Sequence, residues 1–74
     1  MSNNGTHELV TVQTSVKRLR VSSMGNPAWE VRTPVGAYRT PANAQVGYKV
    51  TTRENVRVRL VLDARSRLVD VEYL

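Results

Sequence analysis

The C-terminal quarter of the sequence alternates between apolar and polar residues, and this pattern constrains the fold more than any other feature. The first apolar set is Val56, Val58, Leu60 and Leu62. The second set is Val69, Val71 and Tyr73. A period of two is typical of β-strands that bury one face. The polar stretch 63–67 has the length of a hairpin loop, so residues 56–74 are predicted to form a β-hairpin.

A second alternating run begins at His7 and extends to Ser23. The predicted inward side chains are Val10, Val12, Thr14 and Val16, followed after a shift of one position by Leu19, Val21 and Ser23. A β-bulge at Lys17–Arg18 explains the shift and would bend the strand so that it serves two sides of a small barrel. Two separate strands are the alternative, although no Gly, Pro or Asn marks a turn in this segment.

Turn residues divide the middle of the chain. Gly, Asn and Pro residues mark turns at 24–27 and 34–36. Strands are therefore predicted over 28–33, with Trp29 facing the core, and over 37–40. Thr40 and Pro41 suit the start of a helix, so the sequence predicts one or two helical turns over 40–46 that Gly47 ends or weakens.

The predicted order is three strands, a short helix and two further strands. This order indicates an all-β domain of five strands, with the helix between strands 3 and 4. An OB-like barrel and an SH3-like barrel both remain possible, and closure would remove unpaired sheet edges. We expect residues 1–7 to be a flexible N-terminus and residues 8–74 to form a single small β-barrel domain.

Four segments carry a resemblance to a known group of proteins. They are Ser22-Ser-Met-Gly-Asn-Pro27, Thr33-Pro-Val-Gly-Ala-Tyr-Arg-Thr40, Pro41-Ala-Asn-Ala-Gln-Val-Gly-Tyr48 and Leu60-Val-Leu-Asp-Ala-Arg-Ser-Arg-Leu68. Together they resemble the small uncharacterised proteins of tailed phages that infect actinobacteria, such as mycobacteriophages. The resemblance extends from about Val10 onward. It implies a phage origin and expression in the cytoplasm of a bacterial host, and it brings no catalytic or binding residues.

The sequence offers no residue pattern typical of catalysis or metal binding. It contains no Cys, and its single histidine, His7, has no second ligand or triad partner in a suitable pattern. The four glycines are isolated, so no phosphate-binding loop is indicated. We therefore expect no enzymatic activity, no cofactor and no metal. The longest apolar runs contain only two or three residues, so no membrane partner is expected.

The net charge of +5 comes from eleven Lys and Arg residues against six acids. Arg binds phosphate and carboxylate groups, so this charge admits a nucleic-acid partner. A net charge of about 2 to 8 is also ordinary for a soluble small domain. Asp70 and Glu72 are expected to pair with Arg57 and Arg59 across the hairpin, which would remove these two arginines from a binding surface.

The remaining basic residues are predicted to form a candidate nucleic-acid surface. They should project from the outer side of one three-stranded sheet, where only Glu30 opposes them, and they are Arg18, Arg20, Arg32 and Arg39. Tyr48, which follows the predicted helix, is the aromatic ring expected to be exposed. Such a surface would bind single-stranded nucleic acid with low specificity.

Leu68 and Leu74 are expected to face outward, which would make the C-terminal strand apolar on both sides. Such a strand is either covered by a neighbour or is an interface. We therefore favour a binding module that contacts a host or phage protein, or a second copy of itself, through this strand. Low-specificity binding of single-stranded nucleic acid is the first alternative, and a minor structural role in the virion is the second.

Overall fold

The computed structural model of the protein describes residues 5–19, 25–41 and 45–74. These residues form six strands and one short 3₁₀-helix. The strands are β1 (His7–Gln13), β2 (Ser15–Arg18), β3 (Trp29–Thr33), β4 (Gly36–Arg39), β5 (Val56–Leu62) and β6 (Leu68–Tyr73). The helix, η1 (Gln45–Lys49), lies between β4 and β5. The prediction of a small all-β fold is confirmed.

The strands form two antiparallel sheets, and each sheet has three strands. The terminal sheet has the order β1-β5-β6, and the central sheet has the order β2-β3-β4. Over the described ranges no strand pair joins the two sheets, so the prediction of a closed five-stranded barrel is wrong for this part of the chain. The two sheets instead meet where the chain passes from β1 to β2. There the backbone N–H of Thr14 donates a 2.9 Å hydrogen bond to the carbonyl oxygen of Arg32.

The shift in the alternating pattern falls at Thr14 rather than at Lys17–Arg18. In β1, Leu9 and Thr11 lie opposite Leu60 and Val58, which are fully buried residues of β5. Residues directly opposite each other share a face, so the inward set of β1 is the one predicted to face outward. Val16, beyond the shift, packs against the core as predicted.

Aliphatic side chains from both sheets and from η1 form the core. The buried members are Val31, Val46, Val50, Val58, Leu60, Leu62, Leu68 and Val71, and Leu9, Val16, Trp29, Tyr38 and Tyr73 pack against them. Burying an aliphatic side chain of this size stabilises a fold by about 1.5–3 kcal/mol. Because this core contains residues of both sheets, its burial helps to hold the two sheets together.

A β-bulge in β6 changes which side of the sheet the first residues of this strand lie on. The register pairs Val61 with Asp70 but Leu62 with Leu68, so Val69 is an extra residue on β6. The bulge turns Leu68 into the core, where it is fully buried, and leaves Val69 38% exposed. The prediction that Leu68 faces outward and Val69 inward is therefore wrong, while the inward prediction for Val71 is confirmed.

The loop between β5 and β6 is closed by the carboxylate of Asp63. Its Oδ1 atom accepts hydrogen bonds from the backbone N–H groups of Arg65 and Arg67, at 2.9 and 2.8 Å. Ser66 adopts a left-handed conformation with a φ of 61°. These contacts confirm the predicted hairpin, and they hold the pKa of Asp63 below its usual value, chiefly through the backbone hydrogen bond from Arg67.

The predicted helix differs from η1 in both position and type. Residues 42–44 lie outside the described ranges, and η1 begins at Gln45. The hydroxyl oxygen of Thr40 accepts a 3.0 Å hydrogen bond from the backbone N–H of Trp29, which places this side chain at the end of the β3–β4 hairpin. Gly47 lies inside η1, where a Cβ atom would come within 2.0 Å of the carbonyl oxygen of Pro27. Gly47 therefore permits a close backbone approach and does not end the helix.

A buried polar network fixes the end of β1. Gln13 is fully buried, and its side-chain nitrogen donates hydrogen bonds to the carbonyl oxygens of Thr51 and Arg53, at 3.1 and 2.7 Å. The hydroxyl group of Tyr73 donates to the side-chain oxygen of Gln13 and accepts from the N–H of Thr51. The network joins β1, β6 and the segment that enters β5.

Candidate interaction surfaces

The outer face of the central sheet carries two of the predicted nucleic-acid residues. Lys17, Glu30 and Arg39 form one row across β2, β3 and β4, and Ser15, Arg32 and Ala37 form the next. Arg32 and Arg39 therefore project from this face, as predicted. The face also includes Lys17, which the sequence analysis placed at the bulge.

Glu30 neutralises part of this basic face. Its carboxylate accepts hydrogen bonds from Arg32 Nε at 3.0 Å and from Arg39 Nε at 3.2 Å. The Glu30 side chain is only 14% exposed, and these hydrogen bonds hold its pKa below the usual value. Arg32 and Arg39 would have to leave or share this carboxylate before they could bind a phosphate group.

Arg18 does not belong to the outer face. It lies opposite Trp29 in the register, and its guanidinium carbon is 5.3 Å from the centroid of the Trp29 ring. The prediction that Arg18 lies beside Arg32 and Arg39 is wrong, because the shift at Thr14 moves Arg18 to the side of the sheet that carries Val16. Arg20 lies outside the described residues.

Trp29 is held in place by a hydrogen bond to η1. Its Nε1 atom donates to the carbonyl oxygen of Gly47 at 3.0 Å, and its ring packs against the core, as predicted. The neighbouring Tyr48 is 66% exposed, which confirms its predicted exposure. An exposed cation, Arg18, therefore lies over an ordered indole, and the exposed ring of Tyr48 belongs to the residue that follows Gly47 in η1.

The outer face of the terminal sheet combines apolar side chains with paired charges. The register places Glu8, Val61 and Asp70 in one row and Val10, Arg59 and Glu72 in the next. Val12 lies opposite Arg57. The backbone N–H of Leu74 donates to the carbonyl oxygen of Arg57, so Val12, Arg57 and Leu74 form the third row. The face is nine residues in three rows: Glu8, Val10, Val12, Arg57, Arg59, Val61, Asp70, Glu72 and Leu74.

Four of the five charged side chains on this outer face form ion pairs, and Arg57 is the one for which the described residues supply no ion pair. Arg59 forms ion pairs with Glu72 and, at 3.6 Å, with Glu8. The predicted pairing of Arg59 with Glu72 is confirmed. Asp70 pairs with Lys49 of η1 at 2.8 Å instead of Arg57, and this hydrogen bond lowers the pKa of Asp70.

Two apolar side chains remain exposed on this face beside the paired charges. Val10 is 49% exposed and Leu74 is 56% exposed. The outward prediction for Leu74 is confirmed, whereas the exposure of Val10 was missed. Leu9, Thr11 and Gln13 follow the same period of two as Val10 and Val12, so the alternation alone fits either phase of this strand.

Three further features are absent from the described residues. No group of three or more His, Cys, Asp or Glu residues in the described ranges is arranged to hold a metal ion. No pocket opens on the part of the surface that the structure covers. No helix in residues 5–19, 25–41 or 45–74 is long and apolar enough to cross a membrane.

Comparison with known proteins adds no relative. No protein-family model matches the chain, and no curated protein and no solved structure shows significant similarity to it. The candidate interaction surfaces are therefore the two outer faces, the Trp29 neighbourhood and the edges of the two sheets.

Proposed function

We propose that the protein is a non-enzymatic binding module that acts through protein–protein contact or self-association on the outer face of the terminal sheet. The observation that carries this proposal is the exposure of Val10 and Leu74 on a face where four of the five charged side chains are already paired. Among the described residues Arg57 is the exception. Removing such apolar groups from water is favourable, and neutralised charges lower the desolvation cost of covering them.

The C-terminal strand contributes Leu74 and Glu72 to this face. Leu68, which was also a candidate interface residue, is fully buried and is not available to a partner. The proposed interface is therefore the exposed outer side of the sheet that contains β6, with Leu74 at one corner and Val10 on the opposite edge strand.

The resemblance to small tailed-phage proteins supports assigning the module to the accessory proteins of a phage. On this proposal it acts in the cytoplasm of a bacterial host, and its partner is a host protein, a phage protein or a second copy. We regard the fold as an open variant of an OB-like or SH3-like barrel, because the segment from β1 to β2 contributes one strand to each sheet.

Size-exclusion chromatography with light scattering tests the proposal. The purified protein should form a species larger than the monomer, and that species should persist in about 1 M salt, where the Debye length is only ~3 Å. Leu74→Asp should weaken the association, whereas Val35→Asp should not, since Val35 is 64% exposed but lies on the β3–β4 turn of the other sheet. A monomer at all salt concentrations that captures no partner protein would contradict the proposal.

Low-specificity binding of single-stranded nucleic acid is a second candidate function. Arg18 above the Trp29 ring and the exposed Tyr48 favour it, since cations and exposed rings together bind phosphates and bases. The ion pairs that Glu30 forms with Arg32 and Arg39 weaken the case for the central sheet.

Fluorescence anisotropy with a labelled single-stranded oligonucleotide tests this second function. Binding through these cations should weaken steeply as salt rises. If the Trp29 neighbourhood is the site, Arg18→Ala and Tyr48→Ala should weaken binding more than Arg39→Ala does. Equal effects from Arg39→Ala would point to the central sheet and to Arg32, and salt-independent binding would contradict both versions.

A further inference from the structure

We propose that the free edge of β1 pairs antiparallel with the β1 edge of a second copy, so that two terminal sheets join into one six-stranded sheet. This pairing deepens the proposed self-association by naming its partner and its geometry. It rests on that proposed function, but a different interface could serve the function if the pairing does not form.

One side of β1 pairs with no strand in the described residues. This strand has seven residues and pairs with β5 along its whole length. A strand in this position presents a row of backbone N–H and C=O groups that can accept another strand. His7, Glu8 and Val10 are exposed, which is consistent with an uncovered edge.

The other three sheet edges carry features that hinder strand addition. The edge of β6 contains the bulge at Val69 and contacts η1. Lys49 of η1 also forms an ion pair with Asp70 of β6. The edge strands of the central sheet, β2 and β4, have only four residues each, and both carry exposed cations. Short length, bulges and charges are the usual protections of an edge. The β1 edge is longer and has no Pro, Lys or Arg and no register shift.

The sequence of β1 fits a second copy of itself. Val10 is the central residue of β1, so a two-fold axis at Val10 lets the whole strand pair. In this register Val10 faces Val10 of the second copy, and Glu8 faces Val12 of the second copy. Leu9 would face Thr11, and His7 would face Gln13. No pair brings two like charges together, and the four valines of the two strands meet on the outer face.

The expected dimer is modest in strength. Two joined edges bury less than the roughly 1,200–2,000 Å² of a stable interface, so backbone hydrogen bonds must supply much of the affinity. We therefore expect a dimer whose population rises with protein concentration. The contact between the valines also covers the exposed surface of Val10, which links the pairing to the apolar outer face.

Disulfide trapping tests the register directly, because the chain contains no cysteine of its own. Directly opposed strand residues have Cβ atoms about 4.5–5.5 Å apart, close to disulfide geometry. Mild oxidation should convert Val10→Cys to a covalent dimer. Val35→Cys is the control, since Val35 is more exposed than Val10 but lies on the turn of the other sheet, away from β1 in the sheet order. Equal cross-linking of both variants would reflect random collision and would overturn the proposal.

A charge substitution at the same position gives an independent readout. Val10→Lys places two ammonium groups opposite each other, and like charges across an interface cost enough to weaken the dimer by at least about tenfold. Val35→Lys should leave the dimer unchanged, and circular dichroism should show that both variants are folded. If Val10→Lys and Val10→Cys behave like the controls while Leu74→Asp abolishes association, the β1 pairing is wrong and the proposed function stands. A wild-type protein that stays monomeric at every concentration contradicts the pairing and self-association together.

Discussion

The hydroxyl group of Tyr73 donates a 2.7 Å hydrogen bond to the side-chain oxygen of Gln13, and this contact joins opposite ends of the chain. Gln13 is fully buried, and its amide makes three hydrogen bonds, donating to Thr51 and Arg53 and accepting from Tyr73. A buried polar group that loses its partners costs about 1–3 kcal/mol, so the network strongly favours one placement of β1.

Replacing Gln13 with Glu should destabilise the protein by about 3 kcal/mol at neutral pH, because a buried carboxylate would face two carbonyl oxygens without a donor for them. The loss of stability relative to the wild type should become smaller as the pH falls. Burial raises the pKa of the new carboxyl group, and its protonated form can donate one hydrogen bond. Urea denaturation at two pH values measures both effects. Gln45→Glu, at an exposed amide in η1, is the control and should cost little. Equal losses for both variants would contradict the role of the network.

Gly47→Ala should destabilise the protein by roughly 1–3 kcal/mol, because the added Cβ atom cannot fit 2.0 Å from the carbonyl oxygen of Pro27. Moving η1 to relieve this contact would also disturb the hydrogen bond from Trp29 to Gly47. Since Trp29 is the one tryptophan in the chain, its fluorescence reports the change directly. Tyr48→Ala, next to it in η1, should leave the emission of Trp29 nearly unchanged. An unaltered spectrum and stability for Gly47→Ala would show that η1 shifts freely.

Acid should destabilise the protein partly through Asp63. The pKa of Asp63 is lowered from 3.8 in the folded protein, so its contribution to stability is complete above that value and is lost as the pH falls through the lower folded-state pKa. Asp63→Asn should therefore lower the melting temperature at pH 7, and the difference from the wild type should narrow towards pH about 2. Thermal unfolding followed by circular dichroism at both pH values checks this. If the difference in melting temperature between Asp63→Asn and the wild type is the same at both pH values, the charge of Asp63 does not contribute, and the loss comes from the loop hydrogen bonds alone.

Ser66→Gly should stabilise the hairpin by up to about 1 kcal/mol. Ser66 has a φ of 61°, and a left-handed conformation costs an ordinary residue about 1–2 kcal/mol, partly offset by the greater unfolded-state freedom of Gly. Asn55 has a φ of 60°, but Asn tolerates this region, so Asn55→Gly should gain less. Melting temperatures of the two variants test the ranking. A larger gain for Asn55→Gly would contradict it.

The strand positions were predictable because apolar alternation survives wherever one face is buried. Val58, Leu60 and Leu62 are buried as their period of two predicts. In β1, by contrast, Leu9, Thr11 and Gln13 alternate as regularly as Val10, Val12 and Thr14. The buried position of Gln13 depends on Tyr73 and Thr51, which are distant in sequence, so a local pattern could not choose between the two phases.

Two further residues, Leu68 and Arg18, were predicted to lie on the wrong side of their sheets. Both errors have local causes that leave no signal in the sequence. The bulge at Val69 lies between ordinary strand residues, without Gly or Pro to mark it. It reverses Leu68 and removes that residue from the candidate interface. The error at Arg18 follows from placing the change of phase at Lys17–Arg18, whereas the change occurs where Thr14 bonds to Arg32. The outward positions of Arg32 and Arg39 were predictable because β3 and β4 contain no bulge. Leu74 also lies outward as predicted, because the residues that follow the bulge keep one alternation from Asp70 to the C-terminus.

The long-range pairing of β1 with β5 also sets an expected order of folding events. The β3–β4 and β5–β6 hairpins close through short turns, whereas β1 must find β5 across most of the chain. Closing a long loop costs entropy before its contacts form, so recruitment of β1 should be the late, rate-limiting step. Until that step, β5 offers the same seven-residue ladder to the β1 of any neighbouring molecule. Refolding at high protein concentration should therefore favour exchange of β1 between copies, and dilution should favour the monomer in which β1 pairs with β5 of its own chain.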